Sequence, residues 1–384
     1  MPYNFNADAR SIYIHWPFCP YKCNFCPFVA LASHDQFMER YHNTLVKELK
    51  DFAQHYTSKI QLDTIFIGGG TPSTYPDNLL LDMCGILKEI FVFDESCEFS
   101  IEVNPGTVRP EQLALWKKLG INRLSIGVQS LKDQMLKKLN RHQTTQDVYT
   151  VLDQAKEHFD NVSVDFILGL PEVSSQDWKE LIEKAVTWPI KHVSIYFLMV
   201  HEDTPLYFGV KKKQITLPCD DEIVDLYYWT VEYLAAHGFE QYEISNFAKA
   251  GYYSRHNSMY WDRKPYKGFG LGACEFDGVT RLQNQKNLNK YFDGVENGKD
   301  ITIFSEVLTS EQVYLEKVML GLRRAQGVAY EDLLEHLSDA QQVHIKEQIK
   351  MLQETEFIAE RNGRLVLTPK GLAMENDIVV KLSL

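Results

Sequence analysis

Six short apolar segments alternate with helical patterns through the first half of the chain, and this alternation is what most constrains the fold. The segments cover residues 11–15, 63–67, 98–103, 123–128, 162–167 and 192–197. They are rich in Ile, Val and Phe and almost continuously apolar, as parallel strands buried on both faces are. The repeated strand–helix unit predicts a parallel α/β architecture. Six units, where a closed TIM barrel has eight, predict an open, partial (βα)6 TIM-like barrel.

Polar residues or glycines follow each predicted strand. In barrels of this kind the chemistry collects at the carboxyl ends of the strands. In chain order these ends carry a cysteine-rich loop (residues 19–26), a Gly-Gly-Gly-Thr-Pro run (residues 68–72), Glu102, Gln129, Asp165 and Tyr196. The sequence therefore predicts one shared functional rim. Its glycines let a ligand approach bare backbone, and its carboxylates accept hydrogen bonds from hydroxyl or ammonium groups.

The cysteine-rich loop has the spacing C-x3-C-x2-C at Cys19, Cys23 and Cys26. Three thiolates on one tight loop can hold three irons of a [4Fe–4S] cube, which leaves the fourth iron open for another ligand. A structural zinc site usually needs four ligands, and the other four cysteines are scattered singly. A disulfide framework is typical of small secreted chains rather than of one this long. The spacing therefore favours an iron–sulfur cluster whose open iron can bind S-adenosylmethionine (SAM).

Charge and hydropathy narrow the function further. The chain has 384 residues, a net charge of −12 and a pI near 5.5, which argues against a general nucleic-acid binder. No apolar run reaches the length of a transmembrane segment. Residues 1–8 resemble neither a signal peptide nor a transit peptide. With seven cysteines and a cluster motif, we expect a protein of the reducing cytoplasm.

The remaining chain divides into two regions of different character. We expect the barrel over residues 1–210, a small α+β extension over 211–305, and a C-terminal helical domain over 306–384. In the C-terminal domain, helices precede a hairpin that turns at Asn362-Gly363, as in a winged-helix module. The extension contains the stretch His-Asn-Ser-Met-Tyr-Trp at residues 256–261. A histidine near a methionine and two aromatic residues suits an axially ligated haem. The alternative is a histidine hydrogen-bonded within a loop.

Several of these motifs together resemble one family. The segment Tyr-Ile-His-Trp-Pro-Phe-Cys (residues 13–19), the cysteine triplet with Phe25, the Gly68 run, residues 102–105 and 125–130, and Gly-Leu-Pro at 169–171 are similar to the radical SAM family of oxygen-independent coproporphyrinogen III oxidases and their relatives. The resemblance extends from about residue 11 to the C-terminus. It implies a radical SAM barrel that holds a [4Fe–4S] cluster and SAM.

Two branches of this family compete. The oxidase branch has a longer N-terminal extension and a fourth cysteine two residues after the third, whereas this chain begins 18 residues before Cys19 and has Phe28 at that position. The haem chaperone (HemW-type) branch carries a His-Asn-x-x-Tyr-Trp motif, which is present from His256. This branch implies that the protein binds haem and delivers it to haem-accepting proteins.

The alternative is an enzyme that decarboxylates coproporphyrinogen III to protoporphyrinogen IX by means of a 5′-deoxyadenosyl radical. A third class is a radical SAM enzyme of tetrapyrrole breakdown. Two departures from the chaperone pattern bear on the pocket: Pro27 replaces a common Asp, and Cys274-Glu275 replaces a His-Ser pair.

The resemblance also assigns site residues. It implies that Cys19, Cys23 and Cys26 ligate the cluster and that His256 belongs to the haem motif. The residues implied to line the SAM site are Tyr13, Phe25, Gly69, Gly70, Thr71, Glu102, Gln129, Arg141 and Asp165, with Met199 and Phe276 as further candidates.

Overall fold

A nine-stranded sheet forms the centre of the computed structural model, which describes residues 9–56, 58–335 and 337–384. Residues 1–8, which we interpreted as neither signal nor transit peptide, lie outside the described residues. The strands of this sheet are β1 (Ser11–Trp16), β2 (Thr64–Gly69), β3 (Glu98–Val103), β4 (Arg123–Gln129), β5 (Asn161–Leu168), β6 (His192–Phe197), β7 (Glu240–Glu243), β8 (Asn246–Ala248) and β9 (Lys267–Phe269).

The strand order across the sheet is β7-β8-β6-β5-β4-β3-β2-β1-β9. Strands β1 to β6 are parallel and follow one another in sequence order, which confirms the six predicted strands and the partial barrel. The sheet is extended by β9, parallel to β1, and by β8, antiparallel to β6. These short strands were not predicted as part of the barrel sheet.

Helices pack around the sheet. They are α1 (Met38–Ala53), α2 (Asp77–Ile90), α3 (Pro110–Leu119), α4 (Asp133–Lys138), α5 (Thr145–Ala155), α6 (Ser175–Ala185), α7 (Pro205–Lys211), α8 (Asp220–Ala236), α9 (Arg255–Trp261) and α10 (Leu288–Glu296). Side-chain caps fix several of their starts; for example, Thr144 accepts from the Asp147 amide and Ser174 from the Asp177 amide. Within the described residues no helix combines the length and apolarity needed to cross a membrane.

Successive side chains on each barrel strand point alternately towards the helices and towards the inside of the barrel. On β1, Ile12, Ile14 and Trp16 join the main hydrophobic core between sheet and helices. Tyr13 and His15 lie on the opposite face, which lines the inside of the barrel. The outward face thus provides the packing free energy, and the inward face carries the chemistry.

The C-terminal part has its own hydrophobic core. Its helices are α11 (Ser310–Arg323), α12 (Tyr330–Leu334), α13 (Asp339–Glu354), α14 (Pro369–Leu372) and α15 (Glu375–Lys381), and its sheet is formed by Val328–Ala329 and the hairpin strands Ile358–Arg361 and Arg364–Leu367. The predicted helices and hairpin are therefore present. The core runs from Tyr314 to Leu382 and is separate from that of the barrel. The boundaries at residues 210 and 305 stay predictions.

A buried ion pair joins the C-terminal part to the barrel. The Glu243 carboxylate, at the end of β7, accepts from Arg323 Nε at 2.7 Å and from the Ser245 amide at 2.8 Å. The Glu243 side chain has no exposed surface. A three-stranded sheet of Cys274–Phe276, Thr280–Asn284 and Thr302–Val307 lies between the two parts of the chain.

Candidate functional site

The carboxyl ends of β1 to β4 bring the cysteine loop and the Gly68 run into contact. Thr71 donates a hydrogen bond to the Cys19 sulfur at 3.2 Å. Arg141, which follows α4, places Nη1 at 3.8 Å from the Cys23 sulfur. Thr71 and Arg141, which we expect in the SAM site, thus lie beside Cys19 and Cys23, two of the proposed cluster ligands.

The three thiols lie close enough to influence one another. Burial raises the pKa of Cys19 to about 11; the Thr71 hydrogen bond lowers the pKa, and the neighbouring Cys26 and Cys23 raise it. Burial also raises the pKa of Cys26. The uncharged thiol forms of Cys19 and Cys26 are therefore favoured in the protein alone, and a bound cation would favour their thiolates.

The donor set fits an iron–sulfur cube better than a single ion. Within residues 9–56, 58–335 and 337–384, no three His, Cys, Asp or Glu side chains are arranged to hold one metal ion. In a cube each thiolate binds a different iron, so the sulfurs need not converge on one point. Three cysteines on one loop, beside the Arg141 cation, match that requirement, because the arginine offsets the negative charge of a thiolate-bound cluster.

Main-chain hydrogen bonds hold the cysteine loop on two sides. The Asn24 amide donates to the Leu139 carbonyl at 2.9 Å, at the end of α4. The Leu206 amide, in α7, donates to the Asn24 carbonyl at 3.1 Å. Within the loop, the Cys26 amide donates to the Cys23 carbonyl at 3.1 Å. The loop is therefore positioned by two helices before any cofactor binds.

The glycine run packs directly against the segment that leads into Cys19. The Gly70 amide donates to the Trp16 carbonyl at 2.7 Å, and a Cβ at Gly70 would lie 2.4 Å from the Pro17 carbonyl oxygen. Gly69 has φ +119°, a conformation that only glycine adopts readily. Glycine is needed at both positions, in the first case for close approach and in the second for backbone geometry.

Two half-buried carboxyl groups lie below the glycine run. Burial raises the pKa of Glu102 to about 7, although the Gly69 amide donates to this carboxyl at 2.9 Å and lowers the pKa. Burial also raises the pKa of Asp165, which accepts from Ser125 Oγ at 3.1 Å. Each group can accept hydrogen bonds from a polar ligand, and Glu102 exchanges its proton near neutral pH.

Arg141 and Gln129 meet at the end of β4. Arg141 donates to the Gly127 carbonyl, and its Nε donates to Gln143 Oε1 at 2.8 Å. Gln129 has φ +65° and follows an irregularity in the pairing of β4 with β5. The change of backbone direction at Gln129 lies at the carboxyl end of β4, at the rim. Tyr13 lies inside the barrel, where its hydroxyl is 2.9 Å from His15 Nδ1.

Phe25 lies within the cysteine loop, whereas two further expected site residues, Met199 and Phe276, lie apart from this group. Phe25 packs in a small hydrophobic cluster with α4 and α7. Met199 is 66% exposed beyond the end of β6. Phe276 is buried between the guanidinium groups of Arg263 and Arg281, at 5.3 and 5.4 Å from its ring centre. Their proposed contacts with SAM stay predictions.

The His256 side chain does not face the rim. Its Nδ1 lies 2.7 Å from Thr64 Oγ1 and its Nε2 lies 2.8 Å from the Tyr260 hydroxyl. The Glu98 carboxylate accepts from the Arg255 and His256 amides, so α9 lies against the amino ends of β2 and β3. Burial lowers the pKa of His256 to about 3. Axial haem ligation by His256 does not fit this geometry, because both ring nitrogens are engaged within the buried interior.

Sequence reasoning missed two supporting residues. His15 is buried, its Nε2 lies 2.9 Å from the Val29 carbonyl, and burial lowers its pKa to about 4, so it holds the far end of the cysteine loop as a neutral ring. Ser125 holds Asp165. Both lie in motifs that we used for the resemblance, yet only the strand register reveals their partners.

A parallel barrel with three cysteines, a glycine run and half-buried carboxyls at one rim is the arrangement of a radical SAM protein. The profile of the Radical SAM superfamily matches residues 13–185, and that of the HemN C-terminal domain matches residues 308–374. The chain is 34% identical to the haem chaperone HemW of Bacillus subtilis over 96% of this chain and 98% of that protein. It is 30% identical to the haem chaperone HemW of Lactococcus lactis, over 98% and 97%. The chain belongs to the HemW family.

Among solved structures, the fold is similar to that of coproporphyrinogen III oxidase (HemN) from Escherichia coli. The TM-score is 0.85, and the match covers 99% of this chain and 91% of that one. At 20% identity this similarity establishes the fold of the whole chain, including the C-terminal part.

Proposed function

We propose that this protein is a haem chaperone that holds a [4Fe–4S] cluster and SAM in its barrel, binds haem and delivers it to acceptor proteins. The observation that carries the proposal is near full-length similarity to a protein described as a haem chaperone, at 34% identity. The gathering of Cys19, Cys23 and Cys26 beside Thr71 and Arg141 supports the cluster site.

The residues have distinct proposed roles. The three cysteines would ligate three irons of the cluster, which would supply one-electron redox chemistry beside a bound SAM. Glu102 and Asp165 accept hydrogen bonds from SAM, while Gly69 and Gly70 admit it to bare backbone. Arg141 balances cluster charge at Cys23, and Gln129, Tyr13 and Phe25 complete the surroundings.

We further propose that the protein works in the cytoplasm. None of the seven cysteines is paired in a disulfide, which is typical of a reducing compartment. The acidic chain is unsuited to general nucleic-acid binding, so the proposed partners are haem and the proteins that accept it.

Anaerobic turnover separates the chaperone from the oxidase. Reconstituted protein receives SAM, a reductant and coproporphyrinogen III, and a parallel sample receives haem. We expect stoichiometric haem binding and no decarboxylated product. Formation of protoporphyrinogen IX would establish the oxidase instead. Cys23→Ala serves as the control for the cluster, because it removes one of three ligands and should abolish the visible cluster absorbance.

A further inference from the structure

An apolar surface lies beside the rim, where the chain leaves β6 and enters α7. Met199 is 66% exposed and Phe208 is 51% exposed. Tyr196 and Phe197 of the same segment are also exposed, and several large apolar side chains exposed close together are typical of a binding surface. We call residues 196–215 the β6–α7 surface.

This surface is firmly attached to the cysteine loop. Leu206 is buried in the small hydrophobic cluster that also contains Leu198, Val200 and Phe25. The Leu206 amide bonds to Asn24 of the loop. Because alternate residues pack inward, Met199 is left facing outward on a supported backbone.

A pocket of about 520 Å³ opens on the same surface. Its lining includes Phe208, Ile215, Lys212 and Asp203. The volume lies in the range typical of sites for organic ligands. Lys211, Lys212 and Lys213 are all exposed, and no ion pair engages them within the described part of the chain. The pocket thus combines apolar side chains, Phe208 and Ile215, with the Lys212 cation and two cations adjacent to it in the chain, which match a flat apolar ligand that carries carboxylates.

The surface also offers an unengaged imidazole. His201 is partly exposed, and its ring makes no hydrogen bond with any described residue. Its carbonyl accepts from Thr204 Oγ1 at 2.6 Å, and Thr204 caps α7, so His201 lies directly before the helix that forms the pocket. By contrast, His192 and His256 are buried with both nitrogens engaged.

We propose that the β6–α7 surface is the haem-docking site, with the His201 imidazole binding the iron, Met199 and Phe208 covering the porphyrin face, and Lys211, Lys212 and Lys213 pairing with the propionates. This inference rests on the proposed function, because haem is the cargo. The Leu206 amide of this surface bonds to Asn24, so haem bound here would lie beside the cysteine loop.

Ferric haem titration followed by electron paramagnetic resonance tests the iron ligand, since an oxidised [4Fe–4S] cluster gives no signal. We expect His201→Ala to lower haem affinity at least tenfold and to change the haem signal, and added imidazole to restore it. His158→Ala is the matched control, because His158 is also partly exposed with an unbonded ring but precedes β5 at the opposite end of the barrel.

The propionate contacts have their own test. Lys212→Glu should weaken haem binding several-fold and leave binding of haem dimethyl ester unchanged, because the ester lacks the carboxylates. An unchanged haem signal and affinity in His201→Ala would refute the docking site while leaving the chaperone function intact. Failure of the wild-type protein to bind haem at all would instead refute the proposed function itself.

Discussion

The substitution Gly70→Ala tests whether the close contact between the glycine run and the cysteine loop positions the cluster. A Cβ at Gly70 would lie 2.4 Å from the Pro17 carbonyl oxygen and 2.8 Å from that of Phe18. Both neighbours are main-chain atoms, which cannot rotate aside as a flexible side chain does. To reach ordinary van der Waals contact, one segment must move by about 1 Å, and that movement shifts the chain entering Cys19.

The cost follows from three contributions. Overpacking costs about 1–3 kcal/mol. Displacing Pro17 also weakens the 2.7 Å hydrogen bond from the Leu31 amide to its carbonyl, which costs about 1 kcal/mol. The reduced flexibility of the unfolded chain returns about 0.5–1 kcal/mol. We therefore expect a net loss of about 1–3 kcal/mol.

The assay combines urea unfolding of the apoprotein with iron content after anaerobic reconstitution. The matched control is Gly85→Ala in the middle of α2, where an added Cβ meets no atom within 4 Å. That change should stabilise the protein by about 0.5–1 kcal/mol and leave iron content unchanged. If Gly70→Ala matched wild type in both stability and iron content, the contact would not position the loop and the reasoning would be refuted.

Three further predictions concern buried polar groups. His256→Ala should destabilise the protein by about 1–3 kcal/mol, because it leaves the Thr64 and Tyr260 hydroxyl groups without their partner. The folded variant should still bind haem normally. Loss of haem binding at full stability would restore His256 as a haem ligand. Because the pKa of Glu102 is raised to about 7 in the folded protein, the protonated carboxyl contributes stability that is fully present below pH 4.5 and is lost as the pH rises towards 7. Glu102→Gln should therefore flatten this part of a plot of urea midpoint against pH. An unchanged slope would contradict the assignment. Arg323→Ala leaves the Glu243 carboxylate buried and unpaired and should cost about 3–5 kcal/mol in the same unfolding assay. Lys138→Ala, which breaks an exposed pair, should cost less than about 1 kcal/mol, and similar losses in both variants would argue against the buried pair.

Much of the barrel was predictable because its strands are buried on both faces. The strand at residues 98–103 was predicted with the bounds that the structure has, and so was the one at 192–197. The strands β7, β8 and β9 are three or four residues long and include charged side chains such as Glu240 and Lys267. Their pairing depends on tertiary contacts, so no local pattern identified them as sheet extensions.

The candidate site was predictable in its composition but less so in its geometry. Strand ends must meet at one rim, so Thr71 and Cys19 were expected to be neighbours, and they are in contact. The partner of His256 is Thr64, 192 residues away in the chain. A local motif cannot show that its histidine points into the barrel. The observed contacts of His256 are those of a hydrogen-bonded histidine, the alternative to a haem ligand.

The way the cysteine loop is held has a consequence for sequence variation. Its anchors at Asn24 and Leu206 are peptide groups, which every residue except proline supplies regardless of side chain. These anchors are kept when side chains change, so variation between the cysteines is limited by side-chain contacts instead, such as the packing of Phe25 against α4 and α7. Proline at position 27 is tolerated on the same grounds, since the loop anchors of the described residues use the amides of Asn24, Cys26 and Leu206.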